Sequence, residues 1–553
     1  MISFALVSAT GLFVLTLQGA QSPGAPVPTA RTAADIASRI GVELDGIGDG
    51  SRSMPFVDAA KTLRPFTRLS GNGAAPVDAD GWPAADCQTV LFDIRPVPAW
   101  NPPIDDPDAF QPDWSGTYKL SLVGQAAISA TDGGAAMRNS KYDPANNLTT
   151  ADLVVPKGCG LVVLAFRNIV RTNGAPAGSG FTRLRAIRPG YLADTTQVFT
   201  DDFLKALRPF AVLRLMDWLS SNYNPGYYGD EGHHILEWKN RRLPTDATQQ
   251  DAGGKYGVAW EYVVELANAS GKDIWINIPV AASDDYVQQL ALFLKSNLKP
   301  NIKIYLEHSN EVWNYGFPQY IYNKLAAVDE AKWNPASTLV SDETKDEEVL
   351  ARRRHAARLH AAGDAFATAF GQDSMLSRIR PIYASWLINP DSHFRDVLKW
   401  MTETYGPPTN YLYAIASAAY YNAEKATPDA SPEAILSAMK RNSDDNQARH
   451  QKLKAIADSY GLKYAQYEIG PDNGGGKTQN VANRIRANRL PGMGDLVKYD
   501  AQRWFSLGGD LYMYFAMPGA YSRYGCWGLS EDIRQLDTPK WQAIYQLTGF
   551  QSR

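Results

Sequence analysis

The stretch from Ile302 to Asn314, IKIYLEHSNEVWN, decides the fold. It opens as a run of β-branched, aromatic and leucine side chains, the composition of a buried strand. It then breaks at Ser309-Asn310-Glu311, with Trp313 close behind. A carboxylate at the end of such a strand is informative because parallel barrels place their chemistry at the C-terminal ends of their strands. The segment Lys463 to Asp472, KYAQYEIGPD, has the same form: a strand that ends in Glu468 and runs into a loop of Gly, Pro and Asn.

Outward from these two segments, short apolar runs alternate with helical patterns. Strands are expected over residues 41–47, 212–217, 274–280, 302–308, 379–384, 411–416, 463–468 and 510–516. Helices are expected over 260–269, 285–296, 319–328, 396–403, 432–440 and 480–489. Eight strand–helix units in order are what a closed parallel barrel requires, so the class is α/β and the architecture a (β/α)8, or TIM, barrel. Glu311 and Glu468 then end the fourth and seventh strands.

About 160 residues separate the first two strands, and they break the rhythm. Within them, residues 89–95, 116–123, 151–155 and 161–169 read as strands between turns, with no good helix pattern. We read residues 67–182 as a small all-β, sandwich-like domain inserted into the first βα unit. Residues 31–66 then form that unit and 183–553 the rest of the barrel. In the other reading, the β domain precedes the barrel and residues 41–47 belong to it.

Composition is that of a globular protein: 553 residues, 44% hydrophobic and 20% charged, with a net charge of −3. So small a charge gives no reason to expect nucleic acid as a partner. Fourteen Trp and 28 Tyr supply many flat faces of the kind sugar clefts use. The apolar run from Phe4 to Leu17, followed by a Pro/Ala-rich stretch to Ala30, reads as a secretory signal and linker over residues 1–30. No Lys or Arg precedes the run, so an uncleaved N-terminal anchor stays open beside it. The expectation is a secreted or periplasmic monomer. Three cysteines at wide spacing form no disulfide framework or metal cluster; Cys87 and Cys159 are either a pair or two separate buried thiols.

Two carboxylates facing one another across a barrel mouth are the minimum apparatus of glycoside hydrolysis. One must hold a proton for the leaving oxygen, and the other must be ionised to attack the anomeric carbon. An Asn-Glu ending strand four and a Glu ending strand seven resemble the clan A glycoside hydrolases, the cellulase and mannanase superfamily. More narrowly, the chain resembles a group of secreted bacterial cellulase-like or cellulose-binding-domain proteins. The matching segments are Pro55-Phe56-Val57-Asp58, Asp80-Gly81-Trp82, Leu213 to Trp218, Asp284-Asp285-Tyr286, Ser309 to Asn314 and Trp527-Gly528-Leu529. The strand-four motif is the specific one.

The resemblance implies a retaining hydrolase of β-linked oligo- or polysaccharide that needs no cofactor or metal. Glu311 would be the acid/base and Glu468 the nucleophile. Asn310 would bond the 2-hydroxyl of the sugar being cleaved. Arg214 would keep the nucleophile ionised, the alternative being a structural ion pair with Asp217. Tyr420, in a pair with Tyr421 that leaves the choice open by one, would bond the nucleophile. Trp527 would be the stacking floor, with core packing as its alternative. Trp313, Trp218, Trp238 and Trp386 are candidate subsite walls, and Glu307 is expected to point inward as a structural partner for a cation. One departure matters: relatives carry a His after the Pro of strand three, where this chain has Pro279-Val280.

Other signals are weaker. Gly474-Gly475-Gly476-Lys477-Thr478 imitates a phosphate loop, but Pro471 stands where its first glycine belongs, so no nucleotide is expected. His355 and His360 are expected on an exposed, Arg-rich helix, and residues 342–354 on a solvated face. Two rival functions share the same residues: a non-catalytic carbohydrate-binding protein on a degenerate barrel, and a transglycosylase.

Overall fold

A computed structural model describes residues 31–70, 73–97, 109–172, 178–222, 228–229, 232–250, 256–472 and 479–551. The expected signal segment at 1–30 and the glycine run 474–478 lie outside the described residues. Eight parallel strands close into a barrel: β1 (Ile40–Glu43), β2 (Val212–Arg214), β3 (Asp273–Ile278), β4 (Ile304–His308), β5 (Ile379–Ala384), β6 (Ala414–Ala418), β7 (Lys463–Ile469) and β8 (Tyr512–Tyr514). β8 pairs with β1 and shuts the ring. This is a (β/α)8 barrel. Four of the eight strands, β1, β2, β3 and β8, stop two to four residues short of their expected ends, while β6 and β7 run slightly past theirs.

Close packing shapes the barrel at particular residues. A Cβ on Gly41 of β1 would sit 2.3 Å from the Met513 sulfur and 2.8 Å from the Val212 carbonyl, so only glycine fits there. Inside, Trp275, Tyr305, Tyr413, Tyr467 and Met513 form a filled core rather than a pore.

Between β1 and β2 in the chain lie two four-stranded antiparallel sheets. One orders Thr67–Arg68, Cys87–Asp93, Leu161–Val170 and Gln125–Thr131. The other orders Ala136–Asp143, Leu148–Val155, Gly116–Val123 and Thr182–Ile187. Phe92 of the first meets Tyr118 of the second at 6.2 Å, and Phe66, Phe166 and Phe181 interlock beside them. The expected boundary at 182 falls at the start of a strand, so the antiparallel unit closes at Ile187. The true stop is the Pro189-Gly190 turn. The unit is tied to the barrel through Asp58, whose carboxylate accepts from the Ala186 N–H at 2.7 Å and whose backbone bridges to Ile187.

Among the described residues no helix is long and apolar enough to cross a membrane. Cys87, Cys159 and Cys526 are separate buried thiols.

Candidate active site

Arg214, the last residue of β2, is fully buried and organises the mouth of the barrel. Its Nη1 donates to Glu43 Oε2 at 2.9 Å and to Glu468 Oε1 at 2.8 Å. Its Nη2 donates to Glu307 Oε2 at 3.1 Å and to Asn310 Oδ1 at 2.7 Å. The guanidinium lies over the rings of Trp275 and Tyr467, with centroids at 5.6 and 5.1 Å, which adds cation–π attraction in a dry setting. It makes no ion pair with Asp217; its partners are the three glutamates.

One cation faces three buried carboxylates. Burial holds the Glu43 and Glu307 carboxyls above the usual carboxylate range, opposed by the charge of Arg214. The three acids push Arg214 the other way, well above its ordinary value against the effect of burial. Glu307 is anchored further by the Trp275 indole N–H at 2.7 Å and the Asn277 amide at 2.9 Å. Replacing Arg214 by Met leaves those acids without a counter-charge, a loss of about 3–5 kcal/mol. Urea unfolding of Arg214→Met at pH 7 is expected to show that drop; an unchanged midpoint would remove the arginine from its structural role.

Glu468 receives a second bond, from the Tyr420 hydroxyl to Oε2 at 2.6 Å. The pair Tyr420–Tyr421 thus resolves to the first: Tyr421 is buried, and its hydroxyl has no hydrogen-bond partner among the described residues. Burial and the Glu468 charge together hold the Tyr420 phenol well above its ordinary value, so it remains a donor.

Glu311 receives the Tyr467 hydroxyl on Oε1 at 3.0 Å and the Asn314 amide on Oε2 at 2.9 Å. Its pKa is pushed up to about 7, first by burial and then by the negative charge of Glu468. Tyr467 and Glu468 are consecutive, and in a regular strand they would face opposite sides. The register shifts at this point: Gln466 pairs with Ser417, while Glu468 pairs with Ala418. That β-bulge turns both side chains into the mouth, as bulges at barrel rims do. On the opposite wall, Ser309 (φ 58°) and Glu311 (φ 42°) occupy the left-handed region. Non-glycine residues there cost on the order of 1 kcal/mol or more, and such strain is concentrated at functional sites. It lets Asn310 and Glu311 both leave β4 toward the mouth.

The aromatic candidates divide. Trp527 is half-buried, donates its indole N–H to Asp472 at 3.2 Å, and meets Phe515 edge-on; Phe515 in turn meets Tyr420. A Cβ on Gly525 would lie 2.4 Å from the Trp527 ring, so the nearby glycine is there to let that ring lie flat. Trp313 stacks on Trp386 at 5.6 Å and 12°, and both stay partly exposed beside Glu311. Trp218 offers no open stacking face, although it is among the residues lining a recess beside the Arg214 network. It is buried among Phe56, Phe199 and Phe203, where a matching set of aromatic faces outcompetes water. Trp238 packs on Tyr286 and Phe293 of the helix Asp284–Asn297 under Arg241, so it braces the barrel exterior. His355 is also buried rather than exposed. Its Nδ1 lies 3.0 Å from that of His308, and burial holds it near a pKa of about 4.

Four residues of this network lacked a sequence signal: Glu43, Asn277, Trp275 and Tyr467. Each lies within a barrel strand, where an inward-facing polar group looks like any other strand residue. Among the described residues, no group of three or more His, Cys, Asp or Glu could hold a metal ion.

No protein-family model matches the chain, and no curated protein matches it. Solved structures that are similar at low identity include three glycoside-cleaving enzymes. One is the GH51 arabinofuranosidase from Xanthomonas axonopodis pv. citri, at 11% identity and a TM-score of 0.41, covering 66% of this chain and 69% of that one. Another is CelM2, a bifunctional glucanase-xylanase from a metagenome library, at 12% and 0.37, covering 63% and 74%. The third is Xylanase10C from Cellvibrio japonicus in complex with xylopentaose, at 11% and 0.32, covering 90% and 99%.

Proposed function

We propose that the chain is a retaining glycoside hydrolase acting on a β-linked oligo- or polysaccharide. The observation that carries the reading is that two carboxyls with different hydrogen-bond partners meet in one pocket. Glu468 takes an N–H from Arg214 and an O–H from Tyr420, so two donors are aimed at its carboxylate. Glu311, pushed up to about 7, keeps its proton near neutral pH. The carboxylate held by two donors is assigned as the nucleophile, and the carboxyl raised by burial as the acid.

In the first step Glu468 bonds to the anomeric carbon while the glycosidic C–O bond breaks, and Glu311 gives its proton to the departing oxygen. In the second step Glu311, now ionised, takes a proton from water; the water oxygen bonds to the anomeric carbon and Glu468 leaves with its electron pair. Asn310, fixed by Arg214, has an amide N–H to offer the 2-hydroxyl, a contact that strengthens as the ring flattens in the transition state. Trp313, Trp386 and Trp527 give sugar faces something to lie on.

Two inversions at one carbon restore its configuration. Proton NMR of early product, recorded before mutarotation, is therefore expected to show the substrate's own anomer. Initial release of the opposite anomer, or no release from any member of a β-linked oligosaccharide panel, would overturn the proposal.

A further inference from the structure

Beside the Arg214 network, on the β1–β2 side of the mouth, lies a recess of about 180 Å³ lined by Ile47, Asp217, Ser220 and Asn222 among others. At ~30 Å³ per water molecule, it has room for about six, or for one hydroxyl-bearing edge of a sugar ring. Its polar groups are held in place yet unsatisfied. The Asn222 side-chain oxygen accepts from Asn310 at 2.8 Å and from Gln319 at 2.9 Å. Those two bonds fix the amide, and its NH₂ has no partner among the described residues. The Asp217 carboxyl likewise has no hydrogen-bond or ion-pair partner among the described residues, although its backbone N–H is tied to Glu43 at 3.3 Å. The Ser220 hydroxyl is in the same position, on a residue whose φ of 50° turns the chain at this point.

A mostly enclosed carboxyl without a donor is costly. Burial, then the charges of Asp45 and Glu468, push Asp217 up to about 7. A chain of hydrogen bonds from Asn222 through Asn310 to Arg214 links the recess to the candidate catalytic centre. Strand β3 offers nothing equivalent, because Val280 is buried in an apolar cluster with Ala281, Val312 and Tyr322.

We propose that Asp217 and Asn222 form the glycone subsite, the carboxyl accepting from two adjacent ring hydroxyls while the amide donates to one of them. This rests on the proposed function above and assigns the sugar-binding task that β3 does not perform. Acceptors and a donor side by side match a vicinal diol. A site built to satisfy a hydroxyl also rejects the analogue that lacks it, because its own polar groups are then stranded.

The test uses 4-nitrophenyl glycosides of glucose, mannose, galactose, xylose and arabinose, and single-deoxy versions of the best substrate. Asp217→Ala is expected to lower kcat/KM by ~10–100-fold, the scale of one or two lost hydrogen bonds to a charged group, with Asp217→Asn in between. Wild type should lose a similar factor when the contacted hydroxyl is removed, whereas Asp217→Ala should then lose less than about 3-fold more, because the two changes remove the same contact. Losses that multiply, or Asp217→Ala at the wild-type rate, overturn the subsite. If wild type turns over none of the glycosides, the proposed function fails on its own. Calorimetric titration with the five free sugars then decides the subsite. Binding by wild type that Asp217→Ala abolishes supports it; equal binding, or none by wild type, overturns it.

Discussion

Glu468→Ala is expected to lose ~10⁴-fold or more in turnover, about 5.5 kcal/mol of transition-state stabilisation, and to regain activity when sodium azide is added. The loss follows from the geometry. Arg214 and Tyr420 both point at the Glu468 carboxylate, at 2.8 and 2.6 Å, so the pocket is built around an anion at that spot. Removing the side chain leaves space and positive potential without a nucleophile. Azide is small, anionic and needs no deprotonation, so it fits both. With an activated aryl glycoside it attacks the anomeric carbon from the vacated face as the phenolate departs. Because only one displacement occurs, the product is the glycosyl azide of inverted configuration. Rate recovery that rises with azide and yields that azide assigns the nucleophile. An Ala variant as active as wild type, or azide recovery without a glycosyl azide, would assign the chemistry elsewhere.

Much of this site could be read from the sequence, because the signals lay where the backbone changes character. The run at Ile302 to His308 ends in polar residues, and a strand that ends in a carboxylate marks a candidate site locally. Glu468 was legible for the same reason. What could not be read was anything that depends on two distant segments meeting. The bulge at Tyr467 that turns two consecutive side chains inward is a register event between β6 and β7, and no property of KYAQYEIGPD encodes it alone. Glu43 is one polar residue in a four-residue strand, and it is distinguished only by the arginine it meets 171 positions later.

The helices show the same limit. Pro432–Ser459 runs 28 residues, whereas the expectation stopped at 440. Charged and polar residues cover so much of its surface that its buried stripe of Ile435, Met439, Ser443, Asn446, His450 and Leu453 includes polar members. The same holds for Glu347–Phe370, where Arg353 and His355 face inward and are satisfied by partners on neighbouring elements. Amphipathic pattern identifies a helix face only when that face is apolar. In the β unit, Ala136–Asp143 went unread because most of its side chains are polar, and Gln125–Thr131 because its alanines and small polar residues carry little strand signal. Trp218 failed in the opposite direction: an aromatic on a βα loop suits a sugar wall, but Phe56 and Phe199 from far along the chain bury it.

Glu311 carries the complementary experiment, because an acid that donates to a leaving group matters in proportion to the group's need for a proton. Glu311→Gln is expected to lower kcat/KM on unactivated oligosaccharides by ~10³-fold, within the 10²–10⁴-fold range of general acid catalysis. A dinitrophenyl glycoside, whose leaving group departs without a proton, should lose far less in its first step. The wild-type pH profile on oligosaccharides should fall on its basic side near pH 7, where Glu311 loses its proton. In Glu311→Gln that basic limb should disappear. Stability should move the other way. The folded-state pKa of about 7 lies above the ~4.3 of an unfolded glutamate, so the folded chain holds this proton more tightly. The resulting stabilisation is present at pH 4 and is lost as pH rises through 7. At pH 8 a buried, charged Glu311 beside Glu468 opposes folding by on the order of 2 kcal/mol, a burden the neutral glutamine lacks. Urea titrations at pH 5 and pH 8 should therefore show Glu311→Gln gaining on wild type at the higher pH. A variant that loses activity equally on both leaving groups and keeps the basic limb would show that the side chain supports the pocket without donating the proton.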